Sequence, residues 1–408
     1  MSTSLLYHAF GIPAGYKHIS THYVGGAIHF EIEENHFSRR CSCCNKKNLT
    51  LKGFVRRQFR ALPIGAKEVF ITLNIARVKC LDCQVIRQVK VRFSEGSKRY
   101  TRRFKKLVLE LSQHMSVQAV SSFLKVGWDL VKEIQKNHLL RRYGNPNIRK
   151  LKRIAIDEIY MGKKSGYLTV VLDLQRSVVV FVGKGKSGES LIPFWKKLKR
   201  ANIELEVVAT DMGAAFIKSA RDYQSQAVNV VDHFHVIKLF NEKLTKLRRD
   251  LQRDCENVED KAVFKGIRWL LLMRSDKLEK KDEKVQDRLK QALELNEPLA
   301  KAYYLKELLR EIWNQVDKAS ASKLMTEWIK MADSSGVNLL KSFAKTIGRL
   351  RAAILAYYDF DGLSSGPIEG INNKIKTIHK VAYGYRDHEF FKLKILSMHE
   401  SRKIAFTG

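Results

Sequence analysis

Residues 153–182 read RIAIDEIYMGKKSGYLTVVLDLQRSVVVFV and hold three apolar, β-branched runs: Arg153 to Tyr160, Tyr167 to Leu174 and Val178 to Val182. Glycine and polar turn residues part them, so the spacing predicts three short strands. Ser190 to Arg200 follow with helical spacing, and Val207 to Thr210 and Ala227 to Val231 supply two more strand-like runs. Acids close two of these runs. Asp157 follows Ile154-Ala155-Ile156, and Asp211 follows Val207-Val208-Ala209-Thr210. Strand ends of α/β sheets face the functional crevice, and a carboxylate buried there without a partner is costly, so a cation is its natural companion.

Three strands, a helix and further strands form the opening order of a ribonuclease-H-like sheet, and the chain divides around it. Residues 1–95 form an expected zinc-binding, β-rich domain, with Val69, Ile71, Leu73 and Ile75 alternating over 68–79. Residues 96–148 turn helical: Phe104, Leu107, Val108 and Leu111 mark one helix, Val117, Val120 and Leu124 a second, Val131 and Ile134 a third. Only Lys125-Val126-Gly127 separates the last two, a helix-turn-helix signature. The first part of the core is expected over 149–240, an all-helical insertion over 241–340, and the second part of the core over 341–408. The fold class expected is multidomain α+β.

The 408 residues carry 75 Lys and Arg against 42 Asp and Glu, so 75 − 42 = +33, with 45% hydrophobic residues. A globular protein of that charge favours a polyanionic partner, here duplex DNA. A membrane partner is disfavoured, because no apolar run reaches spanning length and no lipidation motif is found, and the start lacks a secretory pattern. The expected location is the cytoplasm, at the nucleoid. An RNA partner is disfavoured by the lack of an aromatic single-strand platform motif. Arg102, Arg103 and Lys105 are candidate phosphate contacts. Lys132 and Lys136 are expected to face outward on the third helix with Asp129, Glu133 and Gln135, where they could reach the major groove.

Five of the six cysteines crowd into two groups, and Cys41-x2-Cys44 with Cys80-x2-Cys83 supplies the four thiolates of a closed, structural zinc site. Cys43 could replace either neighbour, which leaves the first pair open. Residues 366–376 read GPIEGINNKIK. In a helix, Ile368, Ile371, Ile375 and Ile378 make an apolar stripe, and Glu369, Asn372, Asn373 and Lys376 share another face. Glu369 is then the third acid beside Asp157 and Asp211, and Asn373 and Lys376 suit a DNA backbone. Three hard oxygen ligands fit two magnesium or manganese ions. Glu158 and Asp173 compete for the same role.

At these residues the chain resembles the ISL-three family of insertion-sequence transposases in the DDE superfamily. The likeness rests on the cysteine pairs, the helix-turn-helix, Ile154-Ala155-Ile156-Asp157-Glu158, Thr210-Asp211-Met212, Asp232-His233-Phe234-His235 and Glu369-Gly370-Ile371-Asn372-Asn373, followed by Ala382-Tyr383-Gly384-Tyr385-Arg386. It implies that Asp157, Asp211 and Glu369 hold the catalytic metal and that the helical insertion separates the second acid from the third. It also implies metal-dependent cleavage and strand transfer at terminal inverted repeats, and a homodimer or higher synaptic assembly. Asp232 and His235 would lie near the active site, although Asp232 can equally cap the following helix with His235 packed beneath. The alternatives are a non-catalytic DNA-binding regulator and a nuclease without strand transfer.

Overall fold

The computed structural model describes residues 3–163, 165–360, 362–363 and 366–399, and the chain divides into two units, Met1–Asn145 with Lys380–Gly408, and Pro146–His379. In the first unit α1 (Thr3–Phe10) precedes β1 (Tyr16–Val24), β2 (Ala27–Glu34), β3 (Leu49–Arg60), β4 (Val69–Cys80) and β5 (Ile86–Gln88). The sheet order is β1-β2-β4-β3, with β5 paired on β4. Strand β4 is the alternating run of the sequence. Its Val69, Ile71, Leu73 and Ile75 are all buried and form a core with Phe10, Phe30 and Phe59. Each such burial contributes about 2 kcal/mol.

Helices α2 (Arg102–His114), α3 (Val117–Leu124) and α4 (Trp128–Tyr143) follow. Thr101 caps α2 by accepting from Phe104 N at 3.1 Å, and Ser116 caps α3 by accepting from Ala119 N at 3.1 Å. Lys125, at φ 52°, closes α3 in the left-handed region and opens the turn into α4. Phe104, Val108, Val120, Leu124, Val131 and Ile134 meet in one core, as their helical spacing requires. The sheet and this bundle are joined by Arg60. Its buried guanidinium donates to Glu68 Oε2 at 2.5 Å and to Leu124 O at 2.9 Å, and lies 4.9 Å from the Phe70 ring centre and 5.8 Å from that of Phe104.

The second unit opens with β6 (Arg153–Tyr160), β7 (Tyr167–Asp173) and β8 (Val178–Lys184), then α5 (Ile192–Arg200), β9 (Val207–Thr210), α6 (Ala214–Tyr223) and β10 (Val228–Val231). The order β10-β9-β6-β7-β8 is that of a ribonuclease-H-like sheet, with β7 the strand that runs against the others. Ile154, Ile156, Val171 and Val208 cover one face with Phe194, Trp195 and Leu198 of α5 and Phe216 of α6. By strand alternation the other face takes Ala155, Val207 and Val230, and the last two meet Ala356.

The helical segment is α7 (His233–Asp254), α8 (Val258–Gly266), α9 (Arg268–Leu272), α10 (Ser275–Leu278), α11 (Glu283–Glu294), α12 (Glu297–Glu311), α13 (Lys318–Ser334) and α14 (Asn338–Leu355). It therefore starts before the expected residue 241, because Asp232 ends the strand by capping α7. Phe240, Trp328 and Phe343 pack edge to face at its centre, with ring centres 5.0 to 6.0 Å apart. The buried Lys306 ammonium donates to Leu271 O at 2.8 Å and Met273 O at 2.7 Å, which satisfies the end of α9. No helix among the described residues is long and apolar enough to cross a membrane.

Helix α15 (Gly366–Val381) carries the GPIEGINNKIK motif, and Ile368, Ile371 and Ile375 are buried as its apolar stripe predicts. Helix α16 spans His388–Leu396. It belongs to the first unit, where Phe390 and Leu393 pack against Leu139 of α4. The expected segment 341–408 thus divides between the two units, and its residues 400–408 lie outside the described residues.

Replacing Arg60 by Ala removes two charge-assisted hydrogen bonds and leaves Glu68 unpaired. The expected result is a loss of about 2 kcal/mol, read as a lower urea midpoint for the first unit. An unchanged midpoint would show that the sheet and the helix-turn-helix do not depend on this contact.

Candidate metal centres and nucleic-acid interface

The register of the parallel strands builds the acid site. Ile156 of β6 pairs with Thr210 of β9, and Thr210 pairs with Val231 of β10. The next residues, Asp157, Asp211 and Asp232, therefore stand at one level on neighbouring strands, which lie about 4.8 Å apart in any sheet. Strand alternation puts all three on the face away from α5 and α6. Asp157 is not at the end of β6, as the apolar run suggests, but where β9 stops and β6 continues with β7 alone. Asp211 Oδ1 accepts from Gly213 N at 2.9 Å, and a Cβ at Gly213 would sit 2.7 Å from that oxygen, so a larger residue would push the carboxylate aside.

Burial pushes the Asp157 carboxyl above the usual carboxylate range, and the Asp211 charge pushes the same way. The Glu158 N–H, the His235 ring and the Asn372 amide oppose it. Glu158 is raised to about 6, first by burial and then by Asp211 and Asp157. These carboxylates repel each other in a partly dry place, and hard oxygen donors so arranged fit a divalent cation. Asp173, the other competitor, is fully buried and takes Gln175 N, Arg176 N and Arg176 Nε, so it closes the β7–β8 turn. Asp232 is the N-cap of α7, accepting from Phe234 N at 2.9 Å. His235 is half-buried on the first turn of that helix and close enough to Asp157 to act on its charge.

Asn372 departs from the helical-wheel reading. Rather than sharing an open face with Glu369 and Asn373, it is buried, and its Nδ2 donates to Asp157 Oδ2 at 2.6 Å. This bond ties α15 to the acid pair, with Glu369 one turn earlier on the same helix. Glu369, Asn373 and Lys376 are exposed. The three acids are not drawn to ligand distance. Among the described residues, the one group of three or more His, Cys, Asp or Glu with ligand atoms all within 4.8 Å is Cys41, Cys44, Cys80 and Cys83.

That cysteine group has the dimensions of a zinc site. Cys41 and Cys83 sulfurs are 3.6 Å apart and Cys44 and Cys80 sulfurs 3.5 Å, close to the edge of about 3.8 Å for a tetrahedron with 2.3 Å zinc–sulfur bonds. The two knuckles match. Cys41 N donates to Lys46 O and Cys80 N to Val85 O, and Asn45 and Gln84, each following its second cysteine, adopt φ 62° and 59°. The N–H groups of Cys44 and Cys43 draw the Cys41 thiol down to about 6. Cys43 is exposed and stands outside the group, so the geometry favours Cys41 and Cys44 in the first knuckle.

A family model described as a transposase matches residues 154–395, one for the helix-turn-helix domain of transposase family ISL3 matches 89–139, and one for the zinc finger of the IS204, IS1001, IS1096 and IS1165 transposases matches 38–83. The chain belongs to the ISL3 transposase family. It is 32% identical over 358 residues to the transposase of insertion sequence element IS1001 from Bordetella parapertussis, covering 87% of each chain. It is 27% identical over 379 residues to that of IS1557 from Mycobacterium tuberculosis, covering 85% and 83%. Its likeness to the Drosophila P element transposase strand transfer complex has a TM-score of 0.41 at 10% identity, over 74% of this chain and 93% of that one.

The helix-turn-helix of this ISL3 transposase holds several of its charges in pairs. Lys105 is buried with its ammonium 2.7 Å from Glu95, and so is not an open phosphate contact. Gln135 is buried and donates to Ser112 Oγ at 2.7 Å, which corrects its outward placement. Glu133 pairs with Lys98. Lys132 and Lys136 each lie 2.9 Å from Asp387, the N-cap of α16. Arg102 is exposed and Arg103 half-buried. Sequence reasoning missed Asp387, although an acid three residues before Phe390 at the start of an apolar helix is a capping signal.

Burial works against the Asp387 charge, yet Lys136, the Phe390 N–H and Lys132 together hold its carboxyl well below the usual range. A carboxyl lowered in the folded state stabilises that state above its unfolded pKa, about 3.9, and the gain is lost as pH falls through the folded value. The expected stability difference between the parent and Asp387→Asn is therefore constant above about pH 5 and shrinks below about pH 4. Urea unfolding from pH 7 to pH 3 measures it, and a difference independent of pH would contradict the ion pairs.

Proposed function

We propose that this transposase binds the terminal inverted repeats of an insertion sequence as duplex DNA, and cuts and joins phosphodiester bonds at a divalent-metal centre formed by Asp157, Asp211 and Glu369. The observation that carries this reading is the strand register that sets Asp157 beside Asp211, with Asn372 tying the Glu369 helix to that pair. Magnesium or manganese, as two ions, would supply Lewis acidity at the attacking and leaving oxygens. The chain's own residues prepare the place. Asn372 fixes one oxygen of Asp157 and leaves the carboxylate one orientation. His235 adds a group able to hydrogen-bond or carry a proton beside Asp157. Asn373 and Lys376, four and seven residues after Glu369, offer an amide and a cation to the DNA backbone.

Water attacks an end phosphodiester and breaks its P–O3′ bond, leaving a 5′ phosphate on the flanking strand, and the freed 3′ hydroxyl attacks a target phosphodiester, joining to its phosphorus and releasing a target 3′ hydroxyl. Joining two ends calls for at least two copies of the chain, a homodimer or higher synaptic assembly, acting at the nucleoid. Arg102, Arg103 and, once Asp387 is displaced by phosphate, Lys132 and Lys136 hold the duplex, so binding weakens steeply with salt. Zinc on Cys41, Cys44, Cys80 and Cys83 fixes the two knuckles.

Asp157→Asn, Asp211→Asn and Glu369→Gln are each expected to lower cleavage and joining of element-end DNA by at least about a thousandfold, while gel-shift binding of the ends persists. Break sites mapped on intact and pre-cleaved ends in magnesium report both steps. Products unchanged by all three substitutions would refute the centre, and cleavage without joining would reduce the activity to that of a nuclease.

Metal analysis of the purified protein tests the other centre. Cys43→Ser is expected to keep the zinc content of the parent, whereas Cys80→Ser loses the metal and lowers the unfolding temperature. Loss of zinc from Cys43→Ser would overturn the ligand assignment.

A further inference from the structure

On α7, His233, Ile237, Asn241, Thr245 and Arg249 recur every four residues and form a stripe beside the buried row of Val236, Phe240, Leu244 and Arg248. The stripe lines a cavity of ≈ 600 Å³, closed by Arg268 and Leu272 at the two ends of α9 and by Arg310 of α12. Small-molecule sites commonly have about 300–1,000 Å³. None of its lining residues is Asp157, Asp211 or Glu369, or belongs to the helix-turn-helix.

Its charge is one-sided. Lys238, Arg249, Arg268 and Arg310 line it against the single acid Glu242, and none of the four cations forms an ion pair among the described residues. Beneath them Arg248 is buried, donating to Phe264 O and Gln252 Oε1, both at 2.8 Å. Burial, and after it the charges of Arg249 and Arg268, lower its pKa. Like charges gathered in a concave place repel unless an anion joins them.

Other features give the ligand a second part. Asn241 Oδ1 and Arg310 Nε are buried without a hydrogen-bond partner, and such atoms cost about 1–3 kcal/mol each when left unmet. Phe234 lines the cavity with a ring that is 46% exposed, and Ile237 and Leu272 add apolar wall. An open aromatic face beside cations is the pairing that holds a nucleobase next to its phosphate.

We propose that this cavity in the helical insertion binds a nucleoside phosphate, with the arginines on the phosphate and Phe234 on the base. The shared chemistry can come from a nucleotide of a DNA strand or from a free nucleotide.

Calorimetric titration of the full-length protein, without added magnesium, with inorganic pyrophosphate, ATP and a short oligothymidylate separates these sources. At least one of ATP and oligothymidylate is expected to bind saturably and to be displaced by pyrophosphate. The Arg268→Gln, Arg310→Gln double variant weakens that binding at least about tenfold. Phe234→Ala weakens the nucleotide ligand and leaves pyrophosphate unchanged. Lys199→Gln with Arg200→Gln, the same charge loss on α5, has no effect. Binding of oligothymidylate alone assigns a DNA strand, and binding of ATP alone a free nucleotide. Absence of saturable binding by both, equal weakening by the α5 control, or no effect of Phe234→Ala on either nucleotide ligand overturns the proposal. Asp157→Asn leaves these affinities unaltered, so failure here and failure of the acid centre are read separately.

Discussion

Two carboxylates placed side by side on parallel strands are the constraint around which the second unit is organised. The pairing of Ile156 with Thr210 leaves Asp157 and Asp211 adjacent, one strand ending and the other continuing. Burial, and after it the neighbouring Asp211 charge, works against the charged state of Asp157. The sheet tolerates this because apolar packing elsewhere fixes the register: Ile154, Ile156 and Val208 are locked under α5 and α6 on the opposite face. A one-residue slip would turn the aspartates into that core and the isoleucines out of it. Stability made on one face thus holds strain on the other, and the proposed cation would relieve that strain.

The third acid depends on a different contact. Glu369 is on a helix, and a helix can slide or rotate over a sheet unless something fixes it. Ile368, Ile371 and Ile375 bury the apolar side of α15, and the Asn372–Asp157 hydrogen bond fixes its rotation. The bond serves two purposes, since it orients the Asp157 carboxylate and ties to it the helix that carries Glu369. Glu369 itself stays exposed, which leaves it open to the metal and DNA of the proposed centre.

Much of this was legible in the residues. Apolar, β-branched runs marked the strands of the second unit and alternation marked β4, the periods of Phe104, Val108, Val120, Leu124, Val131 and Ile134 marked the helix-turn-helix, and cysteine spacing marked the four converging thiols. These patterns are local, and local periodicity is what a single chain displays. Asn372, Gln135, Lys105 and Asp387 were not legible, because each is placed by a tertiary partner far away in sequence: Asp157, Ser112, Glu95 and the two lysines of α4. A helical wheel shows which face is apolar but not which polar residue at its edge finds a buried partner. The packing partner of helix α16 was hidden for the same reason, since Phe390 and Leu393 advertise burial without naming Leu139 as the surface they cover.

Manganese binding, followed by electron paramagnetic resonance on the full-length protein with element-end DNA present, tests the central claim most directly. The account predicts bound manganese in the parent, its loss in Asp157→Asn and Asp211→Asn, and weakened binding in Glu369→Gln and Asn372→Ala. Equal manganese binding by the parent and all four variants would contradict it.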